Sequence, residues 1–356
     1  MGALCSGPCS PVRMKGGEFD EETCNESPNV TPVCEVVVFA MVVEPVQAVR
    51  SLTTEPTTTQ QDDKKKLNKQ TKGQEKVWKD TTLLKIKAKD LVIAGALSNG
   101  IYSFVSKAKY NDQLVAVKTI KAAVNTTKLL NHARTLHALQ SQYNLQLIGI
   151  TCNTHKMVFE YMDLGSLSTL LSAKRLKKKQ PFKVSSVNVA LAIAKGLQDL
   201  HNHNIIHGEL NSRNVLLSSQ GQIKLSDCGF ARLTMESNTS SKCTVGSKKK
   251  QKHRYVASDC FWTAPENLAG EALSRQSDIY SFGVILSELD TLEMPYASHD
   301  ISYLQLINEI QTGKRVPNLS ASCEIWYHTL AMKCMVFNPQ ERPSIAEIIR
   351  VLEHHN

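Results

Sequence analysis

The spacing of hydrophobic and polar positions divides the chain at about Thr81. After that point come short segments rich in β-branched and aromatic residues, which is typical of β-strands. Five strands are predicted, at LVIAGAL (91–97), IYSFVSKAKY (101–110), LVAVKTI (114–120), LQLIGIT (145–151) and HKMVFEYM (155–162). Because they lie close together in sequence, they predict a small β-rich lobe.

Helical periodicity appears within this lobe and dominates after it. Between Lys128 and Leu139 the hydrophobic positions predict one buried helix face. That face consists of Leu129, Leu130, Ala133, Leu136 and Leu139. The stretch Val187–His201 predicts a longer amphipathic helix, a strand pair joined at Gln220–Gly221 follows it, and helices continue to the C-terminus. The predicted fold class is therefore α+β, with a small β-rich lobe before a larger helical one.

The first 80 residues have a different composition, exemplified by the Thr-, Gln- and Lys-rich stretch Thr53–Lys66. Such a composition predicts a disordered or linker tail over residues 1–80. Hydrophobic residues make up 42% of the 356-residue chain, which is enough for a sizeable core elsewhere. The longest uncharged apolar run, Val36–Val43, is too short for a membrane-spanning helix, which needs about 20 residues.

The net charge is +9, and the basic residues concentrate at Lys64–Lys89, Lys174–Lys179 and Lys248–Arg254. Two interpretations stay open: solvated loops, or contact with acidic lipid or nucleic acid. Aromatic residues are sparse in these runs, which argues against a nucleic-acid partner. The ten cysteines are scattered through the chain, which indicates reduced thiols and predicts a cytoplasmic location.

Several short motifs follow one another in a fixed order. They are Gly95-Ala-Leu-Ser-Asn-Gly100 between two predicted strands, VAVK (115–118), IIHGELNSRNVLL (205–217), Asp-Cys-Gly (227–229), WTAPE (262–266), SDIYSFG (277–283) and RPS (342–344). In this order they resemble the motifs of the protein kinases. The resemblance covers about residues 83–352, and its last three motifs are most similar to those of the tyrosine-kinase-like group.

The resemblance implies a two-lobed protein kinase fold, with an N-terminal lobe and hinge at 83–163 and a C-terminal lobe at 164–353. It also implies a site for ATP between the lobes. In that site Gly95 and Gly100 would cover the phosphates, Lys118 would hold them, and the backbone at Glu160 and Met162 would bond the adenine.

The same resemblance implies the catalytic and metal-binding groups. Asn214 and Asp227 match the residues that bind Mg²⁺, an ion that prefers oxygen ligands. Glu209 takes the place of the catalytic carboxylate, and Lys118, Asn214 and Asp227 complete the catalytic set. Such a site transfers phosphate by positioning and charge rather than by covalent chemistry.

Several positions depart from the kinase pattern, among them Tyr102 for a valine after the glycine motif and Asn211 for the lysine typical of Ser/Thr kinases. Five more bear on the site or its packing. They are Leu97 for the middle glycine of the loop, His132 for the helix glutamate that pairs with the lysine, Gly208 for an arginine, Glu209 for the catalytic aspartate and Cys228 for a phenylalanine that packs between the lobes. A glutamate places its carboxylate one methylene further out than an aspartate. A misplacement near 1 Å can cost about 100-fold in rate, so impaired catalysis is expected.

The resemblance also implies contacts that hold the fold. Glu266 should form a buried ion pair with Arg342, and Asp278 should hold the backbone of the catalytic loop, which is the motif at 205–217. Phe159 should close the deep end of the nucleotide site. The basic segment 248–260 is an insertion, and it is either a solvated loop or a segment that docks an acidic partner or blocks the peptide groove.

The N-terminus Met1–Ser6 fits the pattern for N-myristoylation at Gly2, with Cys5 and Cys9 placed for palmitoylation. Because one acyl chain holds a membrane only marginally, a second signal would be needed. The pattern is short and also arises by chance, so membrane contact through acylation is one of two interpretations.

Three functions stay open. The first is a kinase-like domain that binds ATP and Mg²⁺ weakly, is catalytically impaired, and acts as a signalling switch or scaffold. The second is an active Ser/Thr kinase that tolerates Glu209. The third is an interaction module that binds no nucleotide. A protein substrate or signalling partner is expected for the first two.

Overall fold

The computed structural model describes residues 83–100, 103–121, 126–151, 156–178, 184–229, 257–297 and 301–356. The predicted tail at 1–80, the acylation positions and most of the basic insertion therefore lie outside the described residues. Within the described part, the expected small β-rich lobe and larger helical lobe are both present. None of the described helices has the length and apolar character needed to cross a membrane.

A six-stranded sheet forms the N-terminal lobe, in the order β1-β5-β6-β4-β3-β2. Its strands are β1 (Leu84–Ile86), β2 (Val92–Asn99), β3 (Ser103–Tyr110), β4 (Gln113–Ile120), β5 (Leu147–Thr151) and β6 (Lys156–Glu160). The five predicted strands are confirmed. The short β1 was not predicted, and it is held by parallel pairing to β5.

Strand β4 separates two environments, as its alternation predicts. Val115 and Val117 are buried in a small cluster on the outer face of the sheet, below the segment that links β1 to β2. Ala116 and Lys118 point to the other face, where Ala116 packs against the main core. The alternation therefore places Lys118 in the cleft between the lobes.

Eight helices are described, and all but the first lie in the C-terminal lobe. They are α1 (Thr126–Ala138), α2 (Leu167–Arg175), α3 (Ser186–Asn202), α4 (Pro265–Leu268), α5 (Arg275–Thr291), α6 (Tyr303–Gln311), α7 (Ile325–Cys334) and α8 (Ile345–His354). The buried residues of α1 are Leu129, Leu130, Ala133 and Leu136, so its predicted face is confirmed. Helix α5 is buried along almost its whole length and forms the centre of the large lobe.

A second, small sheet lies at the floor of the cleft. It joins β7 (Gly165–Ser166), β8 (Val215–Leu217) and β9 (Ile223–Leu225) in that order. The predicted turn between β8 and β9 is confirmed, and Gly221 adopts φ +83° there, a conformation that glycine takes without strain. This hairpin positions Asn214 just before β8 and Asp227 just after β9.

Candidate functional site

Lys118 and Asp227 form an ion pair at the centre of the cleft. The Nζ atom of Lys118 lies 2.8 Å from Oδ1 of Asp227, and the lysine is only 4% exposed. Asp227 adopts φ +61°, in the left-handed region that non-glycine residues rarely occupy. The residue that the resemblance assigns to the phosphates and the one that it assigns to Mg²⁺ are thus in direct contact.

His132 of α1 lies beside this pair, where the resemblance predicts a glutamate. Burial, and next the charge of Lys118, lower the pKa of His132 to about 4, so the imidazole is neutral at physiological pH. A Cβ atom added at Gly229 would lie 3.4 Å from its Cε1 atom. The helix therefore presents an uncharged ring at the point where an acid would anchor the lysine.

Asp278 of α5 holds the catalytic loop, as predicted. Its carboxylate accepts hydrogen bonds from the backbone N–H groups of His207 and Gly208, both at 2.9 Å. The imidazole of His201 lies 2.9 Å from the same carboxylate. Gly208 adopts φ +77°, so this position suits a residue without a Cβ atom.

Two asparagine side chains hold the backbone of the loop that follows Gly208. The carbonyl oxygen of Glu209 accepts a hydrogen bond from Nδ2 of Asn211 at 3.0 Å and from Nδ2 of Asn214 at 2.8 Å. The carbonyl of Asn214 accepts from the backbone N–H of Ser226 at 2.8 Å. These bonds fix Asn214 next to the residue that precedes Asp227.

The donor set fits Mg²⁺. Since Nδ2 of Asn214 donates to the backbone, its amide oxygen is the atom left to face a ligand, and Asp227 supplies a carboxylate. Mg²⁺ commonly takes one or two protein oxygens and completes its octahedron with water and substrate phosphates. Among the described residues no group of three or more His, Cys, Asp or Glu side chains could hold a metal ion. The binding of Mg²⁺ by Asn214 and Asp227 stays a prediction.

The glycine motif starts within the predicted strand 91–97 and not wholly between two strands, and the role of Gly95 and Gly100 at the phosphates stays a prediction. Gly95 lies inside β2, where it pairs with Lys107, and bulges lie on both sides of it. The strand continues to Asn99, so the turn begins at Gly100. The strand extends past Gly95 because the two bulges absorb the irregular residues without ending the pairing. Gly95 is therefore not in the connection between the two strands.

Strand β6 ends at the hinge, and its last residue makes a contact that sequence analysis missed. The carboxylate of Glu160 accepts from Nζ of Lys224 at 2.7 and 2.9 Å and from the backbone N–H of Gln146 at 2.7 Å. The pair joins the hinge to β9 over 64 positions of sequence, a separation at which no local pattern gives a signal. The bonds from Glu160 and Met162 to adenine stay a prediction.

A cavity extends behind the ion pair. Lys118, His132, Phe159, Asp227 and Cys228 are among its lining residues. Phe159 is 9% exposed, and its closure of the deep end stays a prediction. Cys228 is buried, its Sγ atom lies 3.6 Å from Oδ1 of Asn144, and burial raises the pKa of its thiol well above the usual range, which fits a packing role.

Glu266 and Arg342 form the predicted ion pair. Two parallel bonds of 2.7 and 2.8 Å join the guanidinium to the carboxylate, and the side chains of Arg342 and Glu266 are 0% and 9% exposed. Arg342 also donates to the carbonyls of Gln276 and Val336. The WTAPE motif is thereby fixed to the C-terminal part of the lobe.

Glu288 of α5 is a buried carboxyl group that sequence analysis did not single out. It accepts from Oγ of Ser212 at 2.8 Å and from Nε1 of Trp262 at 2.7 Å. Burial raises its pKa to about 7, against the lowering effect of those two bonds and of Arg213. The carboxyl group links the catalytic loop to the WTAPE motif.

Comparisons with known proteins agree with this geometry. The family model described as protein tyrosine and serine/threonine kinase matches residues 91–352. A probable serine/threonine-protein kinase of Dictyostelium discoideum is 31% identical over 74% of this chain and 19% of its own length. The Arabidopsis thaliana kinases HT1, named a serine/threonine/tyrosine-protein kinase, and STY17, named a serine/threonine-protein kinase, are 28% and 30% identical over 75% of this chain. The matched regions cover 66% and 45% of those two proteins, so the chain spans less than two thirds of each of these relatives.

Proposed function

Because the chain belongs to the protein tyrosine and serine/threonine kinase family, we propose that it is a tyrosine-kinase-like domain that binds ATP with Mg²⁺ and is catalytically impaired. In this proposal its role is that of a signalling switch or scaffold. Kinase domains bind ATP and Mg²⁺ in the cleft between their lobes. The residues of that cleft support the first part of the proposal, and the departures from the family pattern support the second.

The contact between Lys118 and Asp227 is the observation that carries the proposal. The phosphate-holding lysine and the metal-binding carboxylate neutralise each other, and α1 offers only the neutral ring of His132 as an alternative partner. Nucleotide binding must therefore break an ion pair in which the lysine is buried and the aspartate is partly exposed, which lowers affinity. Bound Mg²⁺ would supply positive charge beside the transferring phosphate, and Asn214 and Asp227 are the residues to hold it.

Glu209 adds a second reason to expect slow transfer. Two asparagines hold its backbone carbonyl, so the backbone has little freedom to compensate for a longer side chain. The carboxylate would therefore stand one methylene away from the place where an aspartate orients the substrate hydroxyl. Orientation of this kind contributes a large part of catalysis in phosphoryl transfer.

An active Ser/Thr kinase is the second candidate, and two observations favour it. STY17 is named a serine/threonine-protein kinase and the Dictyostelium relative a probable one, and Lys118, Asn214 and Asp227 all keep their types. In that case Glu209 would orient the substrate hydroxyl, and a protein hydroxyl group would receive the γ-phosphate.

Nucleotide titration tests the binding step. We expect ATP with Mg²⁺ to raise the melting temperature of the full chain modestly, and we expect Lys118→Ala to abolish the rise. Lys109→Ala, on the neighbouring strand β3 and exposed, is the matched control and should keep it. A wild-type chain with no response to ATP at any Mg²⁺ concentration would favour an interaction module that binds no nucleotide.

Radiolabelled phosphate transfer from ATP to a generic basic protein separates the other two candidates. We expect a rate far below the 1–100 per second that is typical of kinases, by roughly 100-fold or more. A wild-type rate within that typical range would establish the active kinase instead.

Membrane contact through acylation and a cytoplasmic location remain part of the proposal on sequence grounds alone. Gly2, Cys5 and Cys9 lie outside the described residues. Incorporation of labelled myristate into the chain, and its loss in Gly2→Ala, would establish the first modification.

A further inference from the structure

Strand β2 lies at the edge of the N-terminal sheet, and its side chains do not anchor it. All eight of its residues are exposed, and in the described sheet it pairs with β3. This pairing is interrupted twice, between Ile93 and Gly95 and between Ala96 and Ser98. An exposed edge strand with an interrupted ladder has low local stability. The position of its C-terminal end therefore depends on the further contacts that this end makes.

Lys121 makes such a contact. It directly follows β4, and its Nζ atom donates to Oδ1 of Asn99 and, at 2.9 Å, to the carbonyl oxygen of Gly100. Because β3 lies between β4 and β2 in the sheet, the side chain reaches past the end of one strand to the end of the next. Hydrogen bonds with a charged donor are stronger than those between neutral groups. The end of β2 is thus held both by β3 and by Lys121.

The strand register places this contact near Lys118. Ser98 pairs with Val105, and Val105 pairs with Lys118, so these three residues form one row across β2, β3 and β4. Asn99 is the next residue after the row. Since neighbouring strands lie about 4.8 Å apart, the end of β2 lies about 10 Å from the backbone of Lys118. The side chain of Lys118 and a phosphate group that it holds together bridge such a distance.

We propose that Lys121 is a positioning residue for nucleotide binding, because it holds Asn99 and Gly100 in place before the phosphates bind. This inference rests on the proposed function, in which Gly100 covers the phosphates. Backbone N–H groups bind an anion more tightly when their geometry is fixed in advance, since binding then does not have to order them. Lys121 acts through the end of β2, because its Nζ atom is already bonded to both residues there.

Titration of the full chain with ATP and Mg²⁺ tests this role. Lys121→Met keeps the length of the side chain and removes the donor. We expect it to lower the affinity for ATP about tenfold, which corresponds to ordering one more residue on binding. Lys121→Arg keeps a donor group that can bond both acceptors, so it should retain most of the affinity.

Lys109→Met is the matched control. Lys109 is also exposed, and it lies opposite Val92 at the other end of the pairing between β2 and β3. We expect it to change the affinity less than about twofold, because a distant exposed charge is screened. An affinity that is unchanged in Lys121→Met, or lowered equally in Lys109→Met, would overturn the positioning role. A wild-type chain that does not bind ATP would refute the proposed function, and the role of Lys121 with it.

Asn99→Ala separates the contact from the charge of Lys121. It removes one of the two acceptors, so we expect a loss of about threefold. The double variant Lys121→Met, Asn99→Ala should bind ATP as Lys121→Met does, because residues that act through one contact are not additive. If the two single losses multiply, Lys121 acts independently of Asn99, and the proposed role is overturned.

Hydrogen exchange of the nucleotide-free chain shows whether Lys121 orders the end of β2. We expect the backbone amides of Ser98 and Asn99 to exchange faster in Lys121→Met, because an edge strand frays where a contact is lost. The amides near Val92, at the other end of the strand, should be unchanged. Melting temperatures verify that each variant folds. Exchange at Ser98 and Asn99 that equals the wild type would overturn the proposal, whatever the nucleotide affinities are.

Discussion

The two lobes use their charged side chains in different ways. In the C-terminal lobe, Glu266 and Arg342 satisfy each other with two short bonds and little exposure, and Asp278 holds two backbone N–H groups. In the N-terminal lobe, by contrast, the neighbouring helix α1 contains no acidic residue, and Lys118 forms its ion pair with Asp227 of the other lobe. The charged groups of the C-terminal lobe are therefore paired within that lobe, whereas Lys118 of the N-terminal lobe pairs across the cleft.

The largest effect should come from breaking the C-terminal pair. We expect Glu266→Ala and Arg342→Ala each to lower the free energy of unfolding by roughly 3–5 kcal/mol, because each leaves an uncompensated buried charge. Lys195→Ala is the control, since its pair with Glu353 is 29% and 49% exposed and pairs of this kind contribute at most about 1 kcal/mol. Chemical denaturation measures all three, and a loss no larger than that of the control would refute the structural importance of the pair.

Much of the fold could be predicted from the sequence, because local patterns specify it. The face of α1, the alternation of β4 and the turn at Gly221 follow from the periodicity of side chains and from the special conformations of glycine. The partners of Glu266 and Asp278 followed from resemblance to a family in which they sit in recognisable motifs.

Other features could not be predicted, because they depend on contacts between distant segments. Strand β1 has three residues and exists through its pairing with β5, far along the chain. The predicted strand 91–97 contains Gly95, but its continuation to Asn99 depends on the pairing of β2 with β3. The bonds of Glu160 to Lys224 and of Glu288 to Trp262 join residues that no short motif connects.

A smaller effect should come from the pH dependence of stability in the C-terminal lobe. The pKa of Glu288 is raised from 4.5 to about 7, so the folded chain binds a proton there more tightly than the unfolded chain. Stability from this group is therefore present at low pH and decreases as the pH rises from about 4.5 to about 7. We expect Glu288→Gln to remove this contribution, which amounts to roughly 1–3 kcal/mol.

Urea denaturation across that pH range measures the effect. Glu271→Gln is the control, because Glu271 is exposed and its substitution should leave the slope of stability against pH unchanged. A slope that is the same in wild type and Glu288→Gln would show that the carboxyl group is not perturbed in this way.

The smallest effect should come from placing an acidic residue in helix α1 beside Lys118. This change tests the difference between the two lobes most directly. His132 lies beside both Lys118 and Asp227, with a neutral ring. In His132→Glu the introduced carboxylate can attract Lys118 and release Asp227 for the metal ion. We expect this change to improve nucleotide affinity by up to about tenfold and to improve phosphate transfer less, because Glu209 still misplaces the group that orients the hydroxyl.

Glu209→Asp alone should gain little for the complementary reason, since Lys118 still holds the metal-binding carboxylate. The double variant should gain more than the product of the two single gains, because residues that act as one unit are not additive. Initial rates of phosphate transfer for the four chains, together with their nucleotide affinities, give the coupling directly. If the rate gain of the double variant equals the product of the two single gains, the two defects are independent. If only Glu209→Asp raises the rate, the contact between Lys118 and Asp227 does not limit phosphate transfer.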